Sequence, residues 1–217
     1  INRAKRQVYR LVMANYKRQP IRYYQNPVWA TLTYPASFYA NVYNRNSHIK
    51  DLEAYFRQLR KKYGAGIRYL AVMELTKQQM VHWHVLVFNM PKYESIKDLA
   101  QIWIDYNAGQ GRECSHGGQE LERLPWGYKN ARKTSQDIAG YLSKYLAKTF
   151  DTLDFSNKKM YLPSKGLEQP VTISSIQEIQ KILVQAVQDN YFMTYQSQEY
   201  DVPFVGTVYI QVLEPQT

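Results

Sequence analysis

The chain has 217 residues, 45% of them apolar, which is enough for one full hydrophobic core and a small appendage. Its single cysteine, Cys114, excludes an internal disulfide, and the lack of a run of about eighteen apolar residues or of a cleavable leader predicts a soluble cytoplasmic protein that contacts no membrane. The formal net charge of +10 is distributed as +9 over residues 1–50, +5 over residues 51–150 and −4 over residues 151–217, which favours a nucleic-acid partner.

The amino-terminal segment combines this positive charge with aromatic side chains. We expect a basic helix over residues 3–16, followed by Arg22, Tyr23 and Tyr24. Rings that lie among cations are typical of surfaces on which unpaired bases stack, each contact contributing on the order of 1 to 3 kcal/mol. We therefore take these three residues as candidate DNA contacts. Packing at the sheet or at its rim is the alternative for the two tyrosines.

The middle of the chain alternates between strand and helix patterns. Period-two runs of β-branched and aromatic residues predict strands, and apolar residues at helical spacing predict helices. The predicted elements are a strand at 28–34, a helix at 47–63, strands at 67–75 and 81–89, a helix at 95–107, a strand at 119–124 and a helix at 135–150. This order predicts an α+β fold with a ferredoxin-like or RRM-like central antiparallel sheet flanked by helices.

The charge and the pattern change again near the carboxyl end. Residues 176–190 have apolar side chains at helical spacing, and residues 204–213 have the pattern of a strand. We therefore expect a main domain over residues 29–170, a basic arm or helix over residues 1–28, and an α/β extension over residues 171–217 that packs on the same domain.

Two histidines lie in the most regular strand pattern of the chain. In VHWHVLVF, residues 81–88, β-branched and aromatic residues alternate with a period of two. Because successive strand side chains point to opposite faces of a sheet, His82 and His84 leave the same face and Trp83 points into the core. Two imidazoles at this spacing can share one cation.

A carboxylate is expected beside these histidines. If the hairpin between the two central strands centres near Gln78, Glu74 lies opposite His82 and on the same face. Three protein ligands with open positions describe a catalytic cation site, which suits manganese or magnesium and does not exclude zinc. The alternative is that His82 and His84 are ordinary surface or core histidines.

The helix predicted over residues 135–150 carries two tyrosines and two lysines. At about 100° per residue, Tyr141, Lys144, Tyr145 and Lys148 fall within an arc of roughly 100°, opposite an apolar face. A phenol with an ordinary pKa of about 10 attacks poorly at neutral pH unless nearby positive charge stabilises the phenoxide, which the lysines can do. The stripe therefore predicts two nucleophiles with electrostatic supports, and packing residues are the alternative.

Three motifs in this order resemble those of the HUH endonucleases, which include rolling-circle replication initiators, conjugative relaxases and single-strand transposases. The motifs are WATLTYP at 29–35, HWHVLVF at 82–88 and YLSKYLAK at 141–148. The doubled tyrosine is most similar to the initiators of small single-stranded DNA phages and related plasmids. MYLPSKGLEQP at 160–170 is similar to a segment that often follows the tyrosine helix, and Lys165 within it is a further candidate DNA contact.

The resemblance implies transfer of a DNA strand. Tyr141 or Tyr145 would attack a scissile phosphate in single-stranded origin DNA, remain linked to the 5′ phosphate and release a 3′ hydroxyl. His82, His84 and Glu74 would hold a divalent ion that polarises and orients that phosphate. The lysines of the helix would support the developing charge.

The expected partners follow from this chemistry and from what the sequence lacks. The chain has no GxxxxGK[ST] phosphate-binding loop, so we expect a host helicase to unwind the duplex and a host polymerase to extend the 3′ hydroxyl. A relaxase or a single-strand transposase would use the same chemistry, although such transposases typically carry one tyrosine. The alternative of a different class is a noncatalytic module that binds single-stranded nucleic acid, and a covalent protein–DNA adduct would distinguish it.

Overall fold

The computed structural model describes residues 2–16, 27–35, 45–75, 80–91, 96–115, 119–123, 135–152, 161–202, 206–208 and 211–215. Arg22, Tyr23 and Tyr24 lie outside the described residues, and so does the side chain of Lys148. The chain divides into two compact units, Ile1–Pro170 and Val171–Thr217. No helix in the described ranges has the length and apolar character needed to cross a membrane.

The first unit has the predicted α+β architecture, with a five-stranded antiparallel sheet flanked by helices. Its helices are α1 (Asn2–Asn15), α2 (Arg45–Tyr63), α3 (Lys97–Ala108) and α4 (Ser135–Thr152). Its strands are β1 (Val28–Thr33), β2 (Arg68–Leu75), β3 (Val81–Phe88), β4 (Glu120–Arg123) and β5 (Tyr161–Pro163). The sequence analysis predicted each of these elements except β5, within a few residues of the observed ends.

The strand order of the sheet is β4-β1-β3-β2-β5, and each neighbouring pair is antiparallel. The order β4-β1-β3-β2, with α2 and α3 as the two crossovers, is the split β-α-β arrangement predicted from the sequence. The unpredicted β5 has only three residues, and it pairs Tyr161 with Val72 on the free edge of β2. It thereby covers one edge of the sheet.

The two faces of the sheet bury different sets of side chains. On one face, Trp83 is 1% exposed, and Phe56 of α2 stacks on Tyr69 of β2 with ring centroids 3.7 Å apart. Helix α4 covers the opposite face, where its Tyr145 stacks on His84. Helix α1 lies beside α4, and Ser143 Oγ donates to the backbone oxygen of Lys5 at 3.5 Å. The alternation in β3 thus sends Trp83 into the α2 face and both histidines toward α4, as predicted.

The second unit contains one helix and two small antiparallel sheets within its described residues. Helix α5 (Ile176–Gln188) begins after Ser175, whose hydroxyl accepts from the backbone N–H of Glu178 at 3.4 Å. The strands are β6 (Tyr191–Gln196), β7 (Tyr200–Val202), β8 (Gly206–Val208) and β9 (Gln211–Pro215), with β6 paired to β9 and β7 to β8.

The single strand predicted over residues 204–213 is wrong in the second unit. Its described residues belong to β8 and β9, which have different partners because β7 and β8 form a short hairpin within the β6–β9 pair. Strands β6 and β7 were not predicted, since their mixed polar and aromatic residues lack a period-two apolar pattern. The packing of this extension on the first domain stays a prediction.

Candidate active site

The register of the central strands groups the predicted metal ligands. Glu74 of β2 pairs directly with His82 of β3, as the proposed hairpin centre required. Thr31 of β1 pairs with His84 on the other side of β3. Direct partners in an antiparallel pair lie on the same face, so these four side chains form one patch on the face beneath α4.

His84 is held from both ring nitrogens. Its Nε2 lies 2.6 Å from Glu74 Oε2, and both side chains are buried. Its Nδ1 lies 3.4 Å from Thr31 Oγ1. An ionised carboxylate can only accept, so the proton of the Glu74 contact resides on His84 Nε2. The hydroxyl of Thr31 in turn donates to Glu120 Oε2 at 3.4 Å and accepts from Trp29 Nε1 at 3.3 Å.

His82 is less buried than His84 and has a different charge environment. Burial lowers its pKa, the nearby His84 lowers it further, and the carboxylates of Glu74 and Glu120 partly offset these effects. A lowered pKa keeps the imidazole neutral, which is the form that binds metal ions.

This pKa shift predicts the pH behaviour of the metal-free protein. The ring protons of His82 should titrate in NMR spectra with a midpoint below the ordinary value of about 6.5. Because the folded-state pKa is depressed, this group should lower stability as pH falls from the unfolded value through the folded one. Glu74→Gln should move the midpoint further down, since it removes a charge that favours the imidazolium. A midpoint at or above that of histidine in the urea-unfolded chain would contradict the assignment.

The two tyrosines of α4 lie against the histidine patch in different ways. The ring of Tyr145 stacks on His84, with centroids 3.5 Å apart and 21° between the planes, and its side chain is 9% exposed. Its hydroxyl donates to the hydroxyl of Tyr141. Tyr141 is 42% exposed, and its ring centroid lies 5.1 Å from that of Trp29. The structure therefore brings His84, Tyr145 and Tyr141 together in one cluster.

The environment of Tyr145 opposes ionisation. Burial raises the pKa of this phenol, and its hydrogen bond to Tyr141 and the nearby charges of Glu74 and Glu120 raise it further. Tyr145 is therefore a neutral hydrogen-bond donor in this arrangement.

The predicted exposed stripe of α4 is wrong for Tyr145. Ile138, Ala139 and Leu142 are buried, and at about 100° per residue Tyr145 lies next to Ile138 on that side. Burial extends this far because α4 contacts both the sheet and helix α1. The boundary between covered and exposed surface therefore runs between the two tyrosines, and Lys144 lies with Tyr141 on the exposed side. Lys165 is also exposed, in the turn after β5.

Sequence reasoning missed three members of the cluster, Trp29, Thr31 and Glu120. Trp29 and Thr31 are two residues apart in β1, and this spacing places them on one face of the sheet. Glu120 pairs with Thr31 across the β1–β4 ladder. The signal was the alternation of Glu120 with Leu121 in a strand predicted next to no particular partner. Only the strand order reveals which face that carboxylate shares.

The donor chemistry of the patch fits a divalent cation. Among the described residues, no three His, Cys, Asp or Glu side chains already have the mutual geometry of a metal site. Glu74 Oε2 and His84 Nε2 nevertheless point at one another with a single proton between them, and His82 is the direct partner of Glu74. Two imidazoles and a carboxylate are ligands that Mn²⁺ and Zn²⁺ accept readily.

Comparison with known proteins gives one family. The model of the replication-associated protein family of the ORF2 type matches residues 27–150, which is more than half of the chain and includes every residue of the cluster. The chain has no significant match among curated proteins or solved structures.

Proposed function

This chain belongs to the replication-associated protein family of the ORF2 type, and from that premise we propose that it starts rolling-circle replication by nicking and rejoining single-stranded origin DNA. Membership in the family implies a role in DNA replication and an interaction with DNA, and it agrees with the resemblance to rolling-circle initiators. The observation that supports the chemistry is the chain of contacts from exposed Tyr141 through Tyr145 and His84 to Glu74.

In the proposed reaction, Tyr141 is the first nucleophile. Its phenol oxygen attacks the scissile phosphorus, the bond from phosphorus to the 3′ oxygen breaks, and the phenol proton goes to that leaving oxygen. The products are a 5′-phosphotyrosine and a free 3′ hydroxyl, and the reverse reaction rejoins the strand. The hydroxyl of Tyr145, which donates to Tyr141, stabilises negative charge on the attacking oxygen.

The histidine patch would bind a divalent ion through His82, His84 and Glu74. When bound, this ion supplies Lewis-acid polarisation of a nonbridging phosphate oxygen. Thr31 positions the His84 ring through Nδ1, as partners of metal-binding histidines commonly do. Lys144 and Lys148 follow their respective tyrosines by three residues and would attract the phosphate that Tyr141 attacks.

Placement of two tyrosines at one site favours an initiator over the other users of this chemistry. One phenol can hold the linked strand while a second remains available for the next cleavage, which a replicon needs once per round of synthesis. A host helicase would open the duplex and a host polymerase would extend the 3′ hydroxyl, because the sequence contains no ATP-binding loop.

The experiment that tests this proposal follows a label onto the protein. The full chain is incubated with Mn²⁺ and a mixed-sequence pool of single-stranded oligonucleotides that carry a fluorophore at either the 3′ or the 5′ end. We expect the 3′ label to migrate with denatured protein and the 5′ label to remain on free DNA, since the tyrosine keeps the 5′ phosphate of the downstream piece. The double variant with Tyr141→Phe and Tyr145→Phe is the matched control and should form no adduct.

A different result would favour the alternative class. If the protein retains oligonucleotides under native conditions but carries neither label after denaturation, it is a noncatalytic binding module. An adduct that survives in the double variant would remove both tyrosines from the mechanism.

A further inference from the structure

A second concentration of positive charge lies away from the histidine patch. It is a groove between helix α2, the start of β2 and the turn after β5. We name it the basic groove for its four cations. The cations are Arg57, Arg60, Arg68 and Lys165.

The charges of the basic groove are not balanced by the described part of the chain. Glu53 is the one carboxylate among the described residues that line the groove, so four positive charges face one negative charge. The salt bridges between described residues are Lys62 with Asp98, His84 with Glu74 and Arg112 with Asp51, and none of them involves a cation of the groove. Like charges held together repel one another, and a polyanion relieves that repulsion.

Two of the cations are held in place by the backbone. Arg60 Nε donates to the carbonyl oxygen of Ile67 at 3.1 Å, and Arg68 Nη1 donates to the same oxygen at 3.2 Å. The guanidinium of Arg60 also lies over the ring of Tyr69, 5.5 Å from its centroid. Preorganised guanidinium groups lose less conformational entropy when they bind phosphate.

The turn that carries Lys165 is also fixed. Ser164 accepts from the backbone N–H of Tyr69 through its hydroxyl and donates its own N–H to the Tyr69 carbonyl, both at 2.8 Å. Gly166 has φ +82°, and a Cβ there would lie 2.4 Å from Arg68 Nε. A glycine is therefore required for the turn to approach the guanidinium of Arg68 so closely.

Helix-dipole compensation explains only part of this charge. Cations are favoured in the last turn of a helix, and Arg60, Lys61 and Lys62 occupy that turn of α2. Lys62 fits this explanation and is further paired with Asp98. Arg57 precedes the last turn, and Arg68 and Lys165 belong to other elements, so the helix dipole does not account for their convergence.

We propose that the basic groove binds the phosphodiester backbone of DNA at a distance from the nicking site. Arg68 precedes Glu74 by six positions in β2, which corresponds to roughly 20 Å along the strand, or about six base-pair steps of a duplex. The inference deepens the proposed function and rests on it, because the DNA in the groove is the origin DNA flanking the cleaved bond. Either the single strand or the adjoining duplex supplies the phosphates.

The test removes two exposed charges of the groove without disturbing its buried contacts. The variant combines Arg57→Gln with Lys165→Gln, and the matched control combines Lys97→Gln with Lys181→Gln, which removes the same charge elsewhere. Fluorescence anisotropy measures the Kd for a single strand of about thirty nucleotides and for a duplex of the same length, across a range of salt concentrations. Circular dichroism verifies that both variants fold.

We expect the groove variant to bind about tenfold more weakly than the control at low salt. The slope of log affinity against log salt should fall by about two, one for each lost phosphate contact. A loss with the duplex alone assigns the groove to flanking duplex, a loss with the single strand alone assigns it to the single strand, and a loss with both assigns it to both.

Equal affinities and equal salt slopes for the two variants would overturn the proposal. Adduct formation on a short oligonucleotide that cannot reach the groove separates this failure from that of the proposed function. The groove variant should form that adduct at the rate of the unaltered protein. Absence of the adduct in the unaltered protein would count against nicking, whereas a reduced salt slope would still identify a DNA-binding groove.

Discussion

Tyr141→Phe is expected to reduce the rate of covalent attachment to single-stranded DNA by at least about a thousandfold, as loss of a nucleophile commonly does. Tyr145→Phe should reduce the same rate by no more than about fivefold, the equivalent of one hydrogen bond contributing about 1 kcal/mol. The difference follows from the positions of the two phenols. Tyr141 is 42% exposed, whereas Tyr145 is 9% exposed, stacks on His84 and has a raised pKa. Single-turnover kinetics with a 3′-labelled oligonucleotide measure both rates.

A second measurement tests the role assigned to Tyr145. Once the Tyr141 oxygen is esterified, it is a poorer acceptor for the Tyr145 hydroxyl, and the hydrogen bond that joins the two phenols weakens. Purified Tyr141-linked adduct should therefore cleave a second oligonucleotide, and the same adduct prepared from Tyr145→Phe should not. Equal first-cleavage rates in the two single variants would show that the phenols are interchangeable and would contradict the order proposed from their exposure.

The part of the site built on strands could be predicted from the sequence because strand geometry has few free variables. Side chains alternate between faces, so the spacing of His82 and His84 fixes them on one face whatever the rest of the fold does. The short polar connection between β2 and β3 limits the register, which places Glu74 opposite His82. Local rules are sufficient for these three residues.

The part that depends on packing between elements could not be predicted in this way. Tyr141 and Tyr145 differ by about 40° around α4, and only the position of the helix on the sheet decides which is covered. Thr31 and Glu120 join the cluster because β4 pairs with β1, a contact between residues far apart in sequence. Helical periodicity does not contain that information, and a tyrosine is compatible with either a buried or an exposed position.

A larger effect on stability is expected at a buried ion pair on the other side of the sheet. Arg112 contacts Asp51 with two nitrogens, Nη1 to Oδ2 at 2.8 Å and Nη2 to Oδ1 at 3.2 Å. Tyr34 and Tyr106 donate their hydroxyls to the same carboxylate at 3.0 and 2.6 Å. Asp51 is 8% exposed. Arg112→Ala should therefore lower the free energy of unfolding by about 3 to 5 kcal/mol, because it leaves a buried carboxylate without its cation. Urea denaturation at neutral pH measures this change.

The pH dependence of stability provides an independent measurement. Burial alone would raise the pKa of Asp51, but hydrogen bonds from Arg112, Tyr106 and Tyr34 more than offset it and leave the pKa below its usual value. A depressed carboxyl pKa stabilises the fold above the unfolded-state value, and that stability is lost as pH falls through the folded-state pKa. The stability difference between the unaltered protein and Arg112→Ala should therefore shrink as the solution is acidified below about pH 4.

The double variant of Arg112→Ala with Asp51→Asn distinguishes loss of a charge partner from loss of packing. If the cost comes from an uncompensated charge, neutralising Asp51 as well should recover part of the stability lost in Arg112→Ala. The guanidinium also lies 5.3 Å from the centroid of the Tyr34 ring and 5.8 Å from that of Tyr106, and these contacts are lost in either variant. A double variant less stable than Arg112→Ala by the full cost of Asp51→Asn alone would mean that packing by the arginine, rather than its charge, joins the amino-terminal part of α2 to the carboxyl end of α3.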